Sequence, residues 1–206
     1  MKKINKELDQ DRIFDLVDTF RQYNYCMFPQ QRAIYRQLAD KSCGTVLEAG
    51  CGIGLGSAMI DQRMTVDGKG DFMATDKLER NVKFAKELYP WIDFEVWDIN
   101  FPYIGNKRDV VVCVETLEHV ADPASALNNL MDAAEEEVWI TTPNGNGKPQ
   151  PPENPYHVTE YPIRDMIQMI GNISGRMKLT VHGWEDFIEV PYDSEISPVA
   201  YRIQKQ

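Results

Sequence analysis

Two short stretches of the chain put chemically able residue types at telling spacings. The first runs Val46-Leu47-Glu48-Ala49-Gly50-Cys51-Gly52-Ile53-Gly54-Leu55-Gly56, an apolar run that ends in an acid and is followed by glycine at alternate positions. Glycine lets a backbone turn tightly and approach a ligand closely, and a helix that starts there aims its free N–H groups at that ligand. The second stretch is Glu115-Thr116-Leu117-Glu118-His119. Two carboxylates and an imidazole this close together suit either proton transfer near neutral pH or the holding of a divalent cation. His157, within Asn154-Pro155-Tyr156-His157-Val158-Thr159-Glu160-Tyr161-Pro162, offers a second imidazole far away in sequence.

The glycine stretch fits neither common phosphate-binding pattern. A dinucleotide fingerprint needs G-x-G-x-x-G, and its frames here put Leu55 or Ser57 where the third glycine belongs. Gly68-Lys69 and Gly147-Lys148 lack both the upstream glycine and the Ser or Thr of a Walker loop.

The elements that must position these residues alternate in type. Short β-rich runs occur at 45–49, 72–75, 93–97, 110–114 and 138–142, and helix-like stretches at 54–63, 79–88 and 123–136 lie between or after them. Alternating strands and helices predict a parallel sheet with helices on its faces. The unbroken apolar run Val110 to Val114 reads as a central strand buried on both sides. Asp122-Pro123 is a helix start, with Asp as N-cap and Pro in the first helical position. It makes 115–121 a loop at a strand's carboxyl end, which is where open α/β sheets bind ligands. A long Pro/Gly/Asn-rich loop follows Thr142, and loops of this length are usually functional. After it, 163–170 reads as a helix and 178–182 and 198–203 as an antiparallel pair of strands. Upstream, apolar residues at Leu8, Ile13, Phe14, Leu16, Val17 and Phe20 and the stretch 30–38 read as two helices, a cap over residues 1–43 ahead of a compact unit at 44–206.

Taken in order, these pieces resemble the class I S-adenosylmethionine (SAM)-dependent methyltransferases, and more narrowly their small-molecule and glycan O-methyltransferase branches. Glu48-x-Gly50-x-Gly52 is similar to the first motif, Ala74-Thr75-Asp76-Lys77 to the second strand, and Trp97-Asp98-Ile99 to the end of the third. The stretch from Val110 through His119 is similar to the fourth strand and its acceptor-facing loop. The resemblance covers roughly residues 44 to 203. It implies a Rossmann-like, mostly parallel seven-stranded sheet with helices on both faces and an antiparallel last strand. It also implies a cofactor site of Glu48, Ala49, Gly50, Cys51, Gly52, Gly54, Asp76, Lys77, Asp98, Ile99 and Glu115, with Asp76 on the ribose hydroxyls and Asp98 near the adenine amine. The interval from Glu48 to Asp76 exceeds the usual about twenty residues, so Asp67 is a rival for the ribose, with the Asp76 context matching better.

For the chemistry, His119, Glu118 and His157 are the candidate catalytic residues. A base at His119 competes with a packing role for that residue and with a metal reading, because Glu115-x-x-Glu118-His119 resembles the cation-holding motif of the ubiquinone-pathway O-methyltransferases and of the small-RNA 2′-O-methyltransferases. SAM is the expected cofactor, and a divalent metal is admitted without being favoured. The leading function is methyl transfer from SAM to an oxygen, less readily a nitrogen, of a small-molecule or glycan-like acceptor. The runners-up are a metal-assisted RNA 2′-O-methyltransferase and a SAM-binding protein without catalysis. A formal net charge of −10 argues against nucleic acid, whose binding depends on phosphate neutralisation. No apolar run reaches about 18 residues and no signal peptide is legible, so a cytoplasmic protein without a membrane span is expected. Cys26, Cys43, Cys51 and Cys113 form no CxxC pair, and Cys51 and Cys113, inside apolar or glycine-rich runs, read as reduced, half-buried thiols.

Overall fold

The computed structural model describes residues 29–206 except Ser174 and Glu185. The expected helix at 5–22 lies outside the described residues. Five helices and seven strands follow in order: α1 (Pro29–Lys41), β1 (Gly44–Ala49), α2 (Leu55–Asp67), β2 (Gly70–Asp76), α3 (Glu79–Leu88), β3 (Asp93–Val96), β4 (Arg108–Val114), α4 (Pro123–Ala133), β5 (Ala134–Thr142), α5 (Ile163–Gly171), β6 (Met177–Gly183) and β7 (Val199–Lys205). The strands form one sheet in the order β3-β2-β1-β4-β5-β7-β6. Neighbours from β3 through β5 pair in parallel, and β7 runs antiparallel to both β5 and β6.

Strand β4 shows why this sheet needs two covered faces. Val110, Val112 and Val114 enter one core with α1, α2 and α3, whereas Val111 and Cys113 enter the other with α4 and α5. An apolar residue at every position is the pattern of a strand with helices above and below it. The link from β3 to β4 carries no helix. There Trp97 and Tyr103 cover the sheet, their rings 4.9 Å apart and the Trp97 indole N–H donating to Phe101 O at 2.9 Å.

Two of the boundaries that differ from the sequence expectation do so for identifiable reasons. Helix α2 continues to Asp67 because Gly68 can adopt φ 61° and cap it, its N–H donating to the carbonyls of Met64 and Thr65. Helix α4 stops at Ala133, and Ala134 to Glu136, expected to be helical, begin β5. Ala-Ala-Glu-Glu-Glu favours a helix locally. Pairing overrides that preference: Ala134 pairs with Arg108, the register shifts through an irregularity, and regular pairing with β4 resumes at Val110↔Glu137. Glu137 is tied to Arg202 at 2.7 Å and to the Trp139 indole at 2.8 Å.

Candidate active site

The glycine loop leaves β1 over a fully buried acid. Glu48 accepts from the Tyr35 hydroxyl and from the Ser57 hydroxyl, each at 2.6 Å, so the carboxylate pins α1 and α2 to the strand beneath the loop. Burial pushes its carboxyl above the usual range and the two hydroxyls pull it back. Above it, Gly50 and Cys51 both donate to Thr75 O, at 2.8 and 2.9 Å, and Gly52 N–H donates to Asp76 Oδ2 at 2.9 Å. Gly50, Gly52 and Gly54 all have positive φ. A Cβ at Gly52 would meet nothing within 4 Å, so open space lies over this turn. Ala49 and Cys51 are buried beneath it.

Asp76 ends β2 beside that loop, its other oxygen accepting from Leu78 N–H at 2.9 Å and from the Asn81 amide at 3.1 Å. Burial pushes its carboxyl up, and the Leu78 and Gly52 N–H groups pull it down. Asp67 is at the far end of α2, next to the start of β2, where it pairs with Lys69 at 2.9 Å and Arg63 at 3.4 Å. Only Asp76 stands at a strand's carboxyl end beside the loop. Asp98 follows β3 with Oδ1 held by the Asn100 backbone and side chain. Lys77 is exposed, and Ile99 follows Asp98 at the start of the link to β4. Its side chain is core and its carbonyl accepts from Asn129 at 2.8 Å, because the link from β3 has no helix and must supply its own packing.

The loop after β4 meets the glycine turn where Thr116 Oγ1 reaches Gly50 O at 3.4 Å. Glu115 has φ 47°, a conformation that costs a side-chain-bearing residue energy, and its carboxyl accepts from the Thr141 hydroxyl at 3.0 Å. Burial pushes that carboxyl up to about 7. Glu118 is 1% exposed, and burial together with the charge of Glu115 holds its carboxyl well above the ordinary range. Its Oε2 is buried with no hydrogen-bond partner among the described residues.

The segment after β5 folds over this loop. Val158 N–H donates to Glu118 O at 2.7 Å, and His119 Nδ1 lies 2.9 Å from Tyr156 O. A carbonyl only accepts, so Nδ1 carries the proton and Nε2, 3.8 Å from Glu118 Oε1, is the basic nitrogen of the neutral ring. The rings of His119 and His157 pack edge to face with centroids 5.0 Å apart. Glu118, His119 and His157 thus come together, each offering a ligand atom within 4.8 Å of the others, a set able to hold a divalent cation. Glu115 is turned toward Thr141 instead. Sequence reasoning missed Asn154, Lys148 and Glu160, all around His157. The only sequence signal for Glu160 was its position three residues after a histidine.

Known proteins resemble the chain in fold and in one stretch of its sequence. Residues 47–139 match the family described as "Methyltransferase domain". A Mycolicibacterium smegmatis protein named as an S-adenosylmethionine-dependent methyltransferase is 26% identical over 151 residues, 69% of this chain and 56% of its own. The ubiquinone biosynthesis O-methyltransferase of Citrobacter koseri is 32% identical over 120 residues, 54% of this chain and 49% of its own. The chain therefore spans about half the length of these curated relatives. Among solved structures, a TehB-like SAM-dependent methyltransferase from Corynebacterium glutamicum superposes with a TM-score of 0.71 at 14% identity, covering 97% of this chain and 100% of that one. Residues 47–139 thus match a methyltransferase domain, and the fold is the one seen in class I SAM-dependent methyltransferases, a superfamily this chain resembles. SAM is the cofactor of that superfamily, and the open glycine turn flanked by Asp76 suits it.

Proposed function

We propose that the chain transfers a methyl group from SAM to an oxygen of a small-molecule or glycan-like acceptor. Bound SAM supplies an activated methyl group on a sulfonium, so the protein's task is to align the acceptor, exclude water and remove a proton. Gly50, Gly52 and the N-terminus of α2 cradle the cofactor, with Asp76 facing the ribose diol and Asp98 the adenine. The observation that carries the reading is the meeting of Glu118, His119 and His157 directly beside the glycine turn. His119, its Nδ1–H committed to Tyr156 O, presents Nε2 as the base that would take the acceptor's hydroxyl proton as the C–O bond forms and the methyl–sulfur bond breaks, releasing S-adenosylhomocysteine.

One observation favours a second reading, in which the same three residues hold a divalent cation that activates the acceptor. It would require His157 to give up a partner, since Asn154 already occupies Nε2 and Glu160 lies at Nδ1. Calorimetry is expected to show micromolar binding of SAM or S-adenosylhomocysteine, and binding of NAD with no heat from either would overturn the cofactor assignment. Acceptor pools incubated with radiolabelled SAM then identify the labelled fraction, and absence of label from every pool would leave a SAM-binding protein. On the acceptor so found, His119→Gln should lower turnover by roughly 10²–10⁴-fold at unchanged SAM affinity. Chelator should have no effect. Loss of activity with chelator and recovery with Mg²⁺, Mn²⁺ or Zn²⁺ would select the second reading.

A further inference from the structure

His157 is surrounded by partners that leave it one orientation and one tautomer. Asn154 Oδ1 accepts from Tyr156 N–H at 3.1 Å, which fixes which end of that amide is which. Asn154 Nδ2 therefore faces His157 Nε2, at 2.9 Å, and an amide NH₂ only donates. Nε2 is then the acceptor, and Nδ1–H donates to Glu160 Oε1 at 2.8 Å. Glu160 is fixed in turn: its Oε2 takes Lys148 Nζ at 2.8 Å, and its carbonyl takes the Gln150 side-chain amide at 2.8 Å. Both nitrogens of His157 are thus engaged within its own segment, and what it offers the site is a ring edge packed on His119. The residue before it supplies the carbonyl that holds the His119 Nδ1–H.

We propose that Glu160 is a positioning residue, acting through the ring of His157 to hold His119 in its reactive orientation. The inference rests on the reading of His119 as the base. Lys148, Glu160, Asn154 and His157 form a brace whose product is the direction of His119 Nε2. His157 contacts His119 in this arrangement rather than the acceptor.

In ¹⁵N-labelled protein, histidine ring signals should show both His119 and His157 as Nδ1–H tautomers. In Glu160→Ala the His157 signal should become a mixture of tautomers, and turnover should fall about 10–100-fold, the usual scale for losing such an orienting partner, at unchanged SAM affinity. Glu160→Gln keeps a carbonyl oxygen for Nδ1–H and should retain most of the turnover. In a His157→Phe background, which keeps a ring against His119 but nothing to orient, Glu160→Ala should add no further loss. An undiminished loss in that background, or equal losses in Glu160→Gln and Glu160→Ala, would show that Glu160 only tethers the segment and would overturn the proposal. So would an unchanged His157 tautomer in Glu160→Ala. If Glu160→Ala does not fold, Glu160→Gln decides alone: retained turnover with His157 still the Nδ1–H tautomer is expected, and a lost turnover at an unchanged tautomer overturns the proposal. Full turnover in His119→Gln, with the Glu160→Ala tautomer change still present, would instead remove the reading of His119 beneath it.

Discussion

Asp76 carries more of the proposed cofactor site than any other single side chain, because it ties the glycine turn and offers its remaining lone pairs to a ligand. A carboxylate facing two hydroxyls makes charge-assisted hydrogen bonds, and losing them costs on the order of 2–3 kcal/mol. Asp76→Ala is therefore expected to weaken SAM binding by roughly 30–100-fold in calorimetry. Asp67→Ala, at the other end of α2, should leave it nearly unchanged, and the reverse result would move the ribose site. The sequence distinguished these two acids only by context. The sheet distinguishes them by place, since one ends β2 and the other precedes it. Glu118, His119 and His157 were legible as residue types able to share a site. Their meeting was not, because it depends on the Val158 N–H to Glu118 O bond joining segments 40 residues apart. Local patterns carry no information about such a bond.

At the level of elements, strand and helix order was readable because buried strands, glycine turns and an Asp-Pro cap leave strong local marks. The exceptions are instructive. Ala134 to Glu136 have the composition of a helix and became strand because the chain is held to β4 on either side of them, at Arg108↔Ala134 and Val110↔Glu137. The anchoring of α1 was also invisible, since nothing in a sequence says that Tyr35 reaches Glu48. That contact passes directly over Gly56, where an added Cβ would overlap the Tyr35 ring. Gly56→Ala must push the ring away and strip the buried carboxylate of a hydrogen bond. Such a change should destabilise the protein by about 1–3 kcal/mol, read as a lower denaturant midpoint at unchanged slope. Gly68→Ala, facing open space at a helix cap, tests the cost of positive φ alone and should be milder.

The molecule as a whole buries acids it does not neutralise, and its stability should respond to pH accordingly. Glu115 has its folded pKa raised from 4.5 to about 7 by burial. Folding then favours the protonated form, so this contribution is fully present below about 4.5 and is lost as pH rises through about 7. Glu118 shifts in the same direction. Glu115→Gln is expected to raise Tm at pH 8 by about 2–4 °C per kcal/mol recovered, with the gain vanishing near pH 4.5. A gain equal at both pH values would mean that the charge is not its origin. Among the described residues no helix is long and apolar enough to cross a membrane.

Strand β7 lies between β5 and β6 although both precede it in the chain, and among the described residues β6 pairs with no other strand. A chain emerging from the ribosome therefore passes through a stage with β1 to β5 available and β6 present but unable to join them. During that interval the backbone edge of β5, from Glu137 to Thr142, is open to any other extended segment. Val199, Ala200, Tyr201 and Ile203, all fully buried once in place, complete both seams of the sheet in a single addition. The time between synthesis of β5 and arrival of β7 is thus a period in which an unpaired strand edge is open to mispairing.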